Sequence, residues 1–134
     1  MSIMDLLFSF KGRIRRSQYW LAALVAGVVF GVLINVIIGF TFAANPGALE
    51  QGQLPPIVWI GMGLAYIPLI WISLALAIKR WHDRDKSGWW VLIGLIPIVG
   101  GIWTLIECGF LDGTQGPNKF GPSPKGINAP ERAF

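Results

Sequence analysis

The stretch KRWHDRDKSG, Lys79–Gly88, decides the class of fold. It carries four Lys or Arg, separates two long apolar runs, and is followed at once by Trp89 and Trp90. Core helices of a soluble domain are not divided so abruptly by so polar a segment. The pattern is that of a short charged loop holding two membrane spans on one side of a bilayer.

Working outward, Ile57–Ile78 upstream is free of charge, as is Tyr19–Phe42 before it, and Trp89–Leu111 downstream holds one acid, Glu107. Each run exceeds the roughly 20 residues that cross a hydrocarbon core about 30 Å thick. Helix is the expected state of all three, because an open strand leaves backbone groups unpaired in lipid. Composition agrees: 54% of the 134 residues are hydrophobic and only 13% charged, against about 25% charged in an average soluble domain. The first run is too long for the hydrophobic region of a signal peptide, and Thr41-Phe42-Ala43 is a poor cleavage site, so no cleavage is expected. The expected architecture is an all-α integral membrane protein with three transmembrane helices, at about 19–42, 57–78 and 89–111. An amphipathic helix precedes them and an irregular Gly/Pro-rich tail follows. One polytopic domain covers 1–126, and 127–134 is expected to be mobile.

Basic residues orient the chain. Lys11, Arg13, Arg15 and Arg16 precede the first run, and Lys79, Arg80, Arg84 and Lys86 lie in the charged loop. The linker Ala43–Pro56 has neither Lys nor Arg. The positive-inside rule then puts the N-terminus and loop 79–88 in the cytoplasm of a multi-pass inner (plasma) membrane protein. Tyr19, Trp20, Trp81, Trp89 and Trp90 suit the headgroup level there. Three simple crossings leave the tail outside. The alternative is a re-entrant third span: Ile96-Pro97-Ile98-Val99-Gly100-Gly101 interrupts it, and Pro97 frees the carbonyl of Ile93. Arms of about ten residues are too short to cross, and on that length argument the simple crossing is favoured.

Shorter patterns suggest packing. Ile3, Leu6, Leu7 and Phe10 recur at helical spacing, which fits a helix on the inner leaflet or across the mouth of the bundle. Ala23, Gly27, Gly31, Asn35 and Gly39 recur every four residues, and GVVFG is a GxxxG motif. Packing of this face against the second span is favoured over an oligomer interface, with the Asn35 amide bonded to another helix. Gly61, Ala65, Ser73 and Ala77 offer the partner stripe. Pro68 reads as a healed kink rather than a broken transport helix.

Little chemistry is legible. His82 stands beside Asp83, but a lone His without a ligand set gives no metal spacing. Arg80 and Arg84 are expected to pair with Asp83 or Asp85, and Ser87 or Asp85 to cap the helix near Trp89. Glu107 lies about 27 Å along the third run from Trp89, near the outer interface of a straight crossing. An intramembrane acid is a functional candidate by default. The cluster Lys11–Arg16 beside a span suits anionic lipid headgroups better than nucleic acid. Cys108 reads as a buried, inert thiol.

Four segments in order, FKGRIRRSQYW (10–20), KRWHDRDKSGWW (79–90), LIPIVGGIW (95–103) and GPNKFGPSP (116–124), resemble family 805 of the domains of unknown function, small bacterial inner-membrane proteins of the YhaH type. The resemblance implies a protein of three or four spans with no assigned activity. It places motif residues at Gly12, Arg13, Arg16, Trp20, Arg80, His82, Asp83, Ser87, Gly88, Trp89, Pro97, Gly100, Asn118, Gly121 and Pro124. Trp81 stands where Leu is more usual. If the tail folds back, His82, Asp83 and Asn118 meet Arg13 and Arg16.

The functional expectation is a non-catalytic scaffold, partner subunit or lipid-contacting module, without cofactor or metal. Its partners are membrane lipids, anionic headgroups at the cytoplasmic face, a second copy or another membrane protein, and not nucleic acid. The alternatives are a small permease or channel subunit working through Pro68, Pro97 and Glu107, and a lipid-modifying enzyme using His82 and Asp83.

Overall fold

The computed structural model describes residues 2–52 and 54–124. The expected mobile segment 127–134 lies outside them. All the regular elements among the described residues are helical. They are α1 (Ile3–Phe8), α2 (Arg16–Ala44), α3 (Ala48–Gln51), α4 (Pro56–Asp83), a 3-10 helix (Gly88–Leu95), and α5 (Val99–Thr104), continued by a π-helical turn (Leu105–Phe110). Two compact units result: Leu24–Trp71, and Met1–Ala23 with Ile72–Phe134.

The unit Leu24–Trp71 holds most of the two long helices. Of 29 and 28 residues, α2 and α4 measure about 43 and 42 Å at 1.5 Å per residue, enough to cross a membrane. Only 6% of the most apolar stretch of α2, and 17% of that of α4, is buried. Helices this apolar and this uncovered are not core helices of a water-soluble domain. Pro56 begins α4, at a position where its missing N–H removes no helical bond, and the helix continues unbroken through Pro68.

The glycine stripe corrects an expectation. A side chain at Gly27, Gly31 or Gly39 would meet nothing within 4 Å, so in this unit the stripe is not the face against α4. Gly61 of α4 instead approaches Ile37, whose Cγ2 lies 3.2 Å from the position a Cβ would take. Asn35 is exposed, and its Nδ2 donates to Gly31 O of its own helix at 2.8 Å rather than to another helix. The i−4 carbonyl satisfies part of the amide without a partner.

In the other unit, α4 ends in a Schellman arrangement. Asp85 takes φ 59°, Asp85 N donates to His82 O and Lys86 N to Trp81 O, both at 2.9 Å. The side chain of Ser87 then caps the 3-10 helix, accepting from Trp89 N at 3.3 Å.

The third expected span is not one continuous helix. The chain reverses at Pro97-Ile98-Val99, where Val99 N donates to Pro97 O at 2.7 Å around Ile98, at φ 66° and ψ −67°. This is the rarer γ-turn, a strained conformation for a β-branched residue. Pro97, with no N–H to give, sits where the helical ladder stops. Gly100 then passes so close to the first arm that an added Cβ would lie 1.8 Å from Ile93 O. Trp90 and Trp103, one from each arm, approach to 6.3 Å between centroids. The length argument for a straight crossing assumed a regular α-helix throughout; Pro97 and Gly100 make two short arms instead.

Candidate functional site

The hairpin returns the chain to loop 79–88 and assembles a buried clasp. Its centre is Asp83, whose side chain is 3% exposed, between Arg13 at 1% and Arg80 at 0%. Arg13 Nε and Nη2 each reach Asp83 Oδ1 at 3.0 Å, and Arg80 Nη1 donates to Oδ2 at 2.6 Å. The remaining guanidinium donors go to backbone carbonyls. Arg13 binds Gly116 O (2.8 Å), Gly121 O (3.2 Å) and Thr114 O (2.6 Å). Arg80 binds Cys108 O (2.6 Å), Ile14 O (2.9 Å) and Leu111 O (2.8 Å). A guanidinium has five N–H donors; Arg13 and Arg80 each make four hydrogen bonds, and Arg13 Nη2 adds its ion-pair approach to Asp83. Two cations and one anion are buried together, and the carbonyl dipoles compensate the excess positive charge.

Around this centre the N-terminal segment, the end of α4 and the tail are tied to one another. Thr114 N donates to Asp83 O at 2.6 Å. Gly113 lies so near that a Cβ there would be 1.9 Å from Asp83 Oδ2. His82 Nδ1 lies 3.0 Å from Gly12 O, which assigns the proton to Nδ1. The imidazole stacks on Phe120 at 4.0 Å and 5°. Asn118 donates from Nδ2 to His82 O at 2.9 Å, while its Oδ1 accepts from Phe120 N at 2.9 Å. The carbonyls left open at the C-terminal end of the hairpin are capped from α2: Trp20 Nε1 donates to Gly109 O (2.8 Å) and Arg16 to Phe110 O (2.7 Å).

A family model described as Protein of unknown function (DUF805) matches residues 7–122. The chain belongs to this family. Among its relatives, it is 35% identical over 127 residues, 93% of each chain, to "Inner membrane protein YhaI" of Escherichia coli (strain K12). It is 36% identical over 119 residues, 87% of each chain, to "Inner membrane protein YhaH" of the same organism. "Uncharacterized protein YiiR", also of that strain, is 30% identical over 145 residues, covering 90% of this chain and 89% of the relative. No solved structure matches. The DUF805 match includes every side chain of the clasp.

Of the residues singled out in this DUF805 sequence, Arg13, Arg80 and Asp83 meet directly, and His82 and Asn118 join them through Gly12 and the tail. Arg16 reaches the hairpin end but not Asp83, and Ser87 serves the turn. Asp85 forms the helix stop rather than an ion pair with Arg80 or Arg84. Glu107 is corrected most. Instead of lying a helix length from the loop, it accepts from Arg84 Nε at 2.9 Å and from Lys86 Nζ at 2.8 Å. Its position follows from the reversal at Ile98.

Lys79 was not singled out, yet it is wholly buried and donates to Asp5 O (2.7 Å) and Leu6 O. It thereby fastens the C-terminal carbonyls of α1. A lysine at the last turn of an apolar run was the available signal, since an ammonium there suits free carbonyls. Phe120 was also missed; no spacing links it to His82, 38 residues away in sequence. Among the described residues, no three His, Cys, Asp or Glu come together as a metal-holding group.

Proposed function

We propose that this protein is a non-catalytic, lipid-contacting module of the bacterial inner membrane, crossing it twice through α2 and α4. The segment Gly88–Phe110 enters and leaves on the cytoplasmic side. The observation that carries the reading is that Arg13 and Arg80 are buried and bound to Asp83 and backbone carbonyls: these charged motif residues are occupied in holding the chain together. The lipid-modifying alternative uses His82 together with Asp83; Asp83 instead faces the two arginines, and the His82 ring is held by Gly12 O and Phe120. The permease alternative works through Pro68, Pro97 and Glu107; α4 runs through Pro68 without a break, the break at Pro97 lies between two short arms, and Glu107 is paired with Arg84 and Lys86.

Lengths and charge support the topology. The 3-10 arm spans about 16 Å at 2.0 Å per residue, and Val99–Phe110 about 18 Å at 1.5 Å. Either reaches about halfway into a 30 Å core. Leu95 and Ile98 at the tip are 79% and 81% exposed, as lipid-facing side chains are. All nine Lys and Arg among the described residues belong to the unit Met1–Ala23 with Ile72–Phe134, and none to Leu24–Trp71. The positive-inside rule puts the basic end in the cytoplasm. The relatives named above as inner membrane proteins support the location.

Thiol labelling in intact cells tests this. In a Cys108→Ser background, Lys119→Cys is exposed on the tail, with Gln51→Cys and Lys11→Cys as outside and inside controls. Protection of position 119 from an impermeant reagent, with labelling after lysis, is expected. Labelling at 119 in intact cells would overturn the two-crossing topology.

A further inference from the structure

An apolar groove of about 420 Å³ runs along the second arm of the hairpin, lined by Val99, Ile102, Trp103, Ile106, Glu107 and Leu111. Ligand sites typically fall between about 300 and 1,000 Å³. One end is charged. Glu107 is held between Arg84 on Oε2 and Lys86 on Oε1, so the three side chains carry a net charge of +1. Both cations keep open donors. Arg84 uses Nε on Glu107 and Nη1 on Asp112 O, and among the described residues no partner is found for Nη2. Lys86 gives one N–H to Glu107 and otherwise stands over the Trp90 and Trp81 rings at 5.0 and 5.6 Å. Their side chains remain 29% and 27% exposed, against 11% for the acid between them. The arrangement shields the negative charge and presents the positive ones.

We infer that this groove binds one anionic phospholipid, with an acyl chain along Ile102, Trp103 and Ile106 and the phosphate on Arg84 Nη2 and Lys86 Nζ. The inference rests on the lipid-contacting reading above and narrows it to one site and one headgroup charge. Charge complementarity selects the occupant: the two open donors are cationic, and a zwitterionic lipid brings no net charge to them. Arg84 and Lys86 differ from Lys11 and Arg15, which are exposed cations outside the contacts of Glu107 and this groove. Glu107 sets the strength of the site, because it holds both cations at the groove while cancelling one of their charges.

The test uses the full chain purified in neutral detergent and titrated with dioleoylphosphatidylglycerol, dioleoylphosphatidylcholine or inorganic phosphate. Bound lipid is counted by native mass spectrometry. Brominated acyl chains report proximity to Trp103 through the share of tryptophan quenching that Trp103→Phe removes. A cation near an anionic lipid is worth about fivefold in affinity. Lys86→Gln, which leaves the Arg84–Glu107 pair intact, is expected to weaken phosphatidylglycerol binding by about that factor. Glu107→Gln is expected to strengthen it similarly, the opposite of what a purely structural acid predicts. Equal retention of the two lipids, indifference to both variants, or equal binding of inorganic phosphate overturns the site. A preference lost only on Lys11→Gln with Arg15→Gln overturns it too, yet leaves a lipid-contacting protein. The topology stands or falls separately on labelling at position 119.

Discussion

Replacing Asp83 by Asn removes one charge from the centre of the clasp and leaves two buried guanidinium ions without an anion. The three side chains are 3%, 1% and 0% exposed, so water cannot take over the missing role. Breaking such a buried pair costs about 3–5 kcal/mol, mostly from the cation left uncompensated. The carbonyls of Cys108, Ile14, Leu111, Gly116, Gly121 and Thr114 still bind the guanidinium ions, which favours the lower part of that range. Glu107→Gln is the internal comparison. Its pair with Arg84 is 29% exposed on the arginine side, and a solvent-screened pair is worth about 0–1 kcal/mol. Equilibrium unfolding in mixed micelles, followed by tryptophan fluorescence, measures both. The expectation is a loss for Asp83→Asn several times that for Glu107→Gln. Equal losses, or a loss below about 1 kcal/mol for Asp83→Asn, would refute the view that the clasp holds this unit together.

Other positions follow from the same geometry. Gly113→Ala drives a methyl into Asp83 Oδ2 and should cost about 1–3 kcal/mol by overpacking in the same unfolding assay. Ile98→Gly relieves a positive φ worth about 1–3 kcal/mol and gives back about 0.5–1 kcal/mol in the entropy of the unfolded chain, so a net stabilisation of at most about 2 kcal/mol is expected. Asn35→Leu should leave stability within about 0.5 kcal/mol, since its amide is bonded to its own helix.

The long helices were legible because their signal is local: apolar length, and the abrupt charge at Lys79–Gly88. So was the cap at Ser87, two residues from the N–H it binds. The return of the tail to loop 79–88 was not, because hydropathy over 89–111 is the same for a crossing and for a hairpin. What separates them is steric: a γ-turn at Ile98 and a carbonyl against Gly100. The motif residues foretold the meeting of Arg13 with Asp83 only on condition that the tail returned. The stripe Gly27-Gly31-Asn35-Gly39 misled for a related reason. Small residues permit close approach without naming the helix that approaches.

The direction of the hairpin follows from charge more than from its apolar residues. An apolar arm gains about as much by crossing lipid as by turning back within it, because the tails on both sides are alike. The ends differ. A helix that finishes at Phe110 leaves carbonyls without donors. On the basic side those of Cys108, Gly109, Phe110 and Leu111 meet Arg80, Trp20 and Arg16. Four charge-assisted or indole bonds, one buried, two part-buried and one exposed, each contribute roughly 0.5–3 kcal/mol and together outweigh the strain of about 1–3 kcal/mol at Ile98. Arg80 is the strongest link, since one guanidinium holds Ile14 before α2, Asp83 at the end of α4, and both Cys108 and Leu111 at the close of the hairpin. Its removal would free two carbonyls at the close of the hairpin together with Ile14 O and Asp83, whereas the loss of Arg16 would free one carbonyl.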